Sequence, residues 1–158
     1  MAKFPERKLP TGEIIAALND PTKYNGADRY ATTKLIGLLW VKELANLTGG
    51  EQVIVNATNP GFCKTSLLKD SSGAMKYMIK AFSASLGRSP EDGAKCVLDA
   101  AIVKGDESHG RYLSEAAIKD EADIARGVEG EQLQKKLWDE IVGVLKKENV
   151  FPTSLNFV

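Results

Sequence analysis

Apolar residues in this chain fall mostly at helical spacing, with short continuous runs between the helical stretches. The longest helical stretch runs from Asp28 to Leu47. Its apolar positions are Tyr30, Leu35, Leu38, Leu39, Val41 and Leu44, joined by Trp40 and Leu47, and they spread over more than half of the circumference. A surface that wide asks for cover on two sides. Gly49 and Gly50 predict its end, because glycine accepts the left-handed conformation that closes a helix. The run Gln52–Ala57 then predicts a buried strand.

The remaining elements carry clear punctuation. Thr11 to Asn19 predicts a short helix with Thr11 as its cap and Ile14, Ile15 and Leu18 on one face. Asp20 to Gly26 is rich in turn formers. Ser71 to Leu86 predicts a further helix around Met75, Met78, Ile79 and Phe82, reached through a connection over Lys64–Asp70. Ser89-Pro90-Glu91-Asp92 is a helix start: a capping hydroxyl, a proline in the first turn, and acids facing the positive end of the helix dipole. That helix should run to about Val103. Gly110 to Ser114 predicts a short strand. Glu129 to Lys147 predicts a last helix with Leu133, Leu137, Ile141, Val144 and Leu145 on one face, and Trp138 is expected in the core. The order strand, helix, helix, strand implies a parallel pair joined by a crossover.

Composition narrows the class. The 158 residues suit one domain, with the charged, proline-punctuated segment 1–10 loose and residues 11–158 folded. Acids and bases balance at 21 each, so neither nucleic acid nor a disordered acidic tail is implied. No apolar run approaches the roughly 20 residues of a membrane span. The first eight residues lack a signal-peptide core, which predicts a cytoplasmic protein. Cys63 and Cys96 have no cysteine or histidine neighbours at metal-ligand spacing. His109, the one histidine, reads as a turn residue.

The chemistry sits near the start of the long helix. Tyr30 and Lys34 are four residues apart and share a face. A lysine ammonium beside a phenol favours the phenolate and suits it to exchange a proton with a carbonyl or alcohol oxygen. The strand Gln52–Ala57 follows, and then Asn59-Pro60-Gly61-Phe62-Cys63-Lys64-Thr65. Ligands of open α/β sheets bind at such carboxyl ends of strands.

With Tyr30-x-x-x-Lys34 followed by Pro60-Gly61-x-x-x-Thr65, the chain resembles the short-chain dehydrogenase/reductase family, in particular fungal members similar to retinol dehydrogenases. The resemblance implies an α/β fold: the C-terminal part of a Rossmann-like doubly wound domain, with about two parallel strands and four to five helices. It implies Tyr30 as acid/base, Lys34 as its partner, and both as cofactor contacts, with Lys34 at the nicotinamide ribose. Pro60, Gly61, Phe62 and Thr65 would hold the nicotinamide end of NAD(P), with NADP placed slightly ahead of NAD. The substrate would be a small-molecule alcohol or ketone, bordered by the segment Lys64–Gly87. Copies would associate as a homo-oligomer through the helix 28–47.

The departures are also informative. No glycine-rich phosphate loop and no Asn-Asn-Ala-Gly is present, and the region Gly12–Asp20 holds no serine where the family's catalytic serine is expected. The chain therefore reads as the C-terminal half of such an enzyme, and its own affinity for NAD(P) should be weak. Two functions stand side by side: an NAD(P)-dependent oxidoreductase, and a non-catalytic remnant that associates with a full-length relative.

Overall fold

The computed structural model describes residues 12–50, 53–65 and 87–151. Among them are four α-helices: α1 (Ile14–Asn19), α2 (Gly26–Thr48), α3 (Pro90–Leu98) and α4 (Gly127–Lys147). Three short strands, β1 (Ala57–Asn59), β2 (Tyr112–Ser114) and β3 (Ala117–Lys119), form one sheet in the order β1-β2-β3. β1 and β2 run parallel with Thr58 opposite Leu113. β2 and β3 are antiparallel, with Leu113 opposite Ile118. The α/β class and the parallel pair are as expected; β3 is an addition. The loose segment 1–10, Thr11 as a cap and the helix Ser71–Leu86 fall outside the described residues.

Local chemistry sets the helix ends. Asn25 opens α2, its carbonyl accepting from the amides of Asp28 and Arg29. Gly49 and Gly50 close it with φ of 69° and 75°. Ser89 caps α3, its hydroxyl accepting from the Asp92 amide at 3.1 Å, with Pro90 at the first position. α3 continues as a π-helical turn, Asp99–Val103. That wider turn frees a carbonyl, and Asn56 Nδ2 donates to Ala100 O at 2.9 Å.

The core lies between helices. Ile14, Leu39, Ala125 and Leu137 are fully buried together, with Ile15, Leu18, Leu35, Ile36, Leu133 and Ile141 packed around them. The apolar side of α2 is thus covered by α1 and α4 of the same chain. Trp40 and Trp138 stack across that junction, with ring centroids 4.0 Å apart, and Trp138 is buried as expected.

The strand reading needs correction. Of the predicted buried strand Gln52–Ala57 only Ala57 is in a strand, which runs Ala57–Asn59; Val53 and Ile54 are exposed, and Gln52 lies outside the described residues. Side chains decide the register. Asn56 also donates to Ser108 Oγ at 3.0 Å, and Asn59 Nδ2 donates to Tyr112 Oη at 3.0 Å. His109 joins the end of α2 to the entry of β1. Its Nδ1 accepts from the Val55 amide at 3.2 Å, and its Nε2 lies 2.9 Å from Ala45 O, as the donor when Nδ1 accepts. It is a structural tie in a turn, as its sequence context predicts.

Candidate active site

Tyr30 and Lys34 stand one helical turn apart in the first half of α2. The Lys34 ammonium lies over the Tyr30 ring, 5.5 Å from its centroid. That is within cation–π range, an attraction of about 0.5–1 kcal/mol at an exposed site. Tyr30 is 57% exposed. Over the first turns of α2 the exposed strip carries Tyr30, Thr33, Lys34 and Gly37, opposite the face buried on α1 and α4. Thr33 Oγ1 donates to Tyr30 O at 2.8 Å, a bond within the helix.

Pro60, Gly61, Phe62 and Thr65 form the loop that leaves β1. It starts at the carboxyl end of β1, beside the carboxyl end of the parallel β2, where α/β sheets bind ligands. Gly61 has φ of 80°, a conformation a side chain would resist. Its amide donates to Asn59 Oδ1 at 3.0 Å, a local turn closed by the asparagine side chain. Farther along, Arg88 runs beside the loop as a parallel bridge to Cys63. The Arg88 amide donates to Phe62 O and the Lys64 amide donates to Arg88 O, each at 2.9 Å. Thr65 is exposed, with its amide donating to Cys63 O at 2.9 Å. The loop rests on α3: a β-carbon added at the buried Gly93 would stand 2.5 Å from Cys63 Sγ.

The structure therefore brings Tyr30 to Lys34, and the loop residues to one another. α2 packs mainly on α4, whereas β1 and its loop pack on α3 and β2. The segment Lys64–Gly87 lies largely outside the described residues. A cavity of about 370 Å³ opens at the other end of α2, lined by Lys42, Glu43, Gln134 and Lys135 among others. Lys42 is twelve residues beyond Tyr30, roughly 18 Å along a helix, so that cavity is not part of the tyrosine's surroundings.

One residue that sequence reasoning missed stands against the loop. Glu115 follows β2 and, with Ala116, makes the two-residue turn into β3. Its amide donates to Asn59 O at 2.9 Å. A β-carbon at Gly61 would lie 2.8 Å from Glu115 Oε1, and Glu115 Oε2 lies 3.5 Å from the Arg88 guanidinium. No sequence signal pointed to it. Glu115 and Ala116 have φ of 56° and 65°, where asparagine or glycine is the usual choice.

Comparison with known proteins shows the family. A short-chain dehydrogenase/reductase of Annulohypoxylon moriforme, mfmJ, is 32% identical over 151 residues, which cover 95% of this chain and 43% of that protein. A second, dmxR8 of a Cryptosporiopsis species, is 33% identical over 143 residues, 88% of this chain and 43% of its own. The short chain dehydrogenase opdN of Penicillium oxalicum is 37% identical over 116 residues, 71% of this chain and 37% of its own. The chain belongs to the short-chain dehydrogenase/reductase family. It spans about two fifths of the length of these curated relatives. No family model matches the chain. No solved structure matches it either. Among the described residues, no helix of this family member is long and apolar enough to cross a membrane, and no group of metal-ligating side chains gathers.

Proposed function

We propose that this chain carries the proton-transfer residues and the nicotinamide-end loop of an NAD(P)-dependent oxidoreductase acting on a small alcohol or ketone. The observation that carries the reading is the Lys34 ammonium stacked over the exposed Tyr30 ring. Tyr30 would give its phenolic proton to a carbonyl oxygen, or take the proton of an alcohol. Lys34 would hold positive charge beside the phenol as it ionises and offer donors to a ribose hydroxyl. NAD(P), when bound, supplies or accepts the hydride. The residues present suit its nicotinamide end: Gly61 keeps a side chain out of the loop, and Thr65 is an exposed hydroxyl-bearing residue within it. Pro60 and Phe62 shape the same loop. NADP is the cofactor we place first. Without a glycine-rich phosphate cradle in the sequence, affinity should be no better than millimolar, on the order of −4 kcal/mol. We place the reaction in the cytoplasm, where a nicotinamide nucleotide pool is available.

Association of copies through residues 28–47 would use the strip that carries Tyr30 and Lys34, since the apolar side of α2 is covered within the chain. Oligomerisation there and catalysis would compete for one surface.

The test is turnover of a panel of aldehydes and ketones, followed by loss of nicotinamide absorbance. Tyr30→Phe should lower turnover about 10²-fold or more, because the proton route is removed. Equal turnover in the variant would show that Tyr30 is not the acid. A second reading rests on the two-fifths span of the relatives: a non-catalytic partner of a full-length family member. Absence of turnover by the unaltered chain, together with its co-purification with such a relative, would favour it.

A further inference from the structure

The β2–β3 turn holds two successive non-glycine residues, Glu115 and Ala116, in the left-handed region. Neither is a residue that adopts this conformation readily, and strain kept at the carboxyl end of a strand calls for a reason. The side chain of Glu115 supplies one. Its two carboxylate oxygens face different things: Oε1 lies over Gly61, and Oε2 lies 3.5 Å from the Arg88 guanidinium. Arg88 is itself tied to the loop through its main chain, on both sides of Cys63. Its guanidinium also reaches Cys96 Sγ at 3.5 Å, on α3 beneath the loop. The loop is therefore gripped from below by Arg88 and covered from above by Glu115, and the two grips meet in one ion pair.

We propose that Glu115 is the positioning residue of the Pro60–Thr65 loop. The turn geometry aims its carboxylate across the carboxyl ends of β1 and β2, where it fills the space that a side chain at position 61 would occupy. The pairing with Arg88 then holds the loop in a single conformation. Glu115 acts through Gly61 and Arg88 and has no part in proton transfer. The consequence for ligand binding rests on the reading of this loop as the nicotinamide end of a cofactor site; the positioning itself does not.

Strain and function separate cleanly here. Glu115→Gly removes the carboxylate and at the same time relieves the backbone, because glycine accepts positive φ. Hydrogen exchange of the intact chain, read at the amides of Gly61 and Lys64, should be about tenfold faster in Glu115→Gly. The melting temperature should hold or rise, and exchange in α4 should stay unchanged. Arg88→Gln should speed the same loop amides. A residue with a merely structural role would lose loop protection and stability together, so a lowered melting temperature with faster exchange throughout overturns the proposal. Unchanged loop exchange in both variants overturns it as well. NADPH titration of the same proteins supplies the separate arm. Affinity falling severalfold in Glu115→Gly supports both the positioning and the cofactor reading. Faster loop exchange with unchanged affinity leaves the positioning standing and removes the loop from the cofactor site.

Discussion

Lys42 serves two acceptors at once, the Glu121 carboxylate and the Ala125 carbonyl, the latter at 2.7 Å. Both charged side chains are mostly buried. Burial pushes the Glu121 carboxyl up, but the hydrogen bond from Lys42, a backbone hydrogen bond and the charges of Lys42 and Arg111 outweigh it and hold it below its ordinary 4.5. A carboxyl that is more acidic in the folded chain stabilises the fold above its unfolded value, and that contribution is lost as pH falls through the folded one. Stability should therefore drop progressively below about pH 4.5. In Glu121→Gln the part of the drop that belongs to this group should vanish, so urea midpoints of the two proteins should converge as pH is lowered; parallel midpoints across that range would refute it. At this scale the sequence was informative where chemistry follows spacing. The contact of Lys34 with the Tyr30 ring was legible because four residues make one helical turn. Glu115 was not, because its role comes from a turn that places it against a loop more than fifty residues away, and a glutamate in a strained turn carries no spacing signal.

Among the elements, α1 shows how a six-residue helix is held. Its N-terminal amides are not capped by a neighbour in sequence: Glu140 on α4 accepts from the Ile14 and Ile15 amides at 3.0 and 2.9 Å. Glu140→Ala should therefore cost about 1–2 kcal/mol, the range of a lost helix cap, and chiefly expose α1. Chemical denaturation would read the loss, and amide exchange in α1 rising ahead of α4 would locate it; unchanged stability would rule the cap out. Such a cap cannot be read from local sequence, since its donor and acceptor are 125 and 126 positions apart. Helix boundaries set by neighbours were legible: Gly49-Gly50 closed α2, and Ser89-Pro90 opened α3. The strands were less so. Val53-Ile54-Val55 has strand-forming residues, yet pairing settled on Ala57–Asn59, where Asn56 and Asn59 find partners for their amides. β3 was missed because Glu115-Ala116 lacks the Asn-Gly signature of a tight hairpin turn.

For the whole molecule, the described surface is uneven. Ile102 and Val103 are 75% and 71% exposed, Val53 is 59% exposed, and β1 lies at the sheet edge. Each fully exposed residue of this kind leaves about 1.5–3 kcal/mol of burial unrealised, and an open edge strand templates pairing with another chain. Light scattering should show an apparent mass that rises with concentration, and a monodisperse monomer over the whole range would contradict it. The junction of α2 with α4 is closed by contrast, and it holds both tryptophans of the chain, stacked face to face. All of the indole absorbance of this protein thus resides at one contact between two helices. Two stacked indoles couple their strong far-ultraviolet transitions into a paired-sign dichroism that neither gives alone, so the molecule carries its own optical gauge of whether those helices are docked, with no label added.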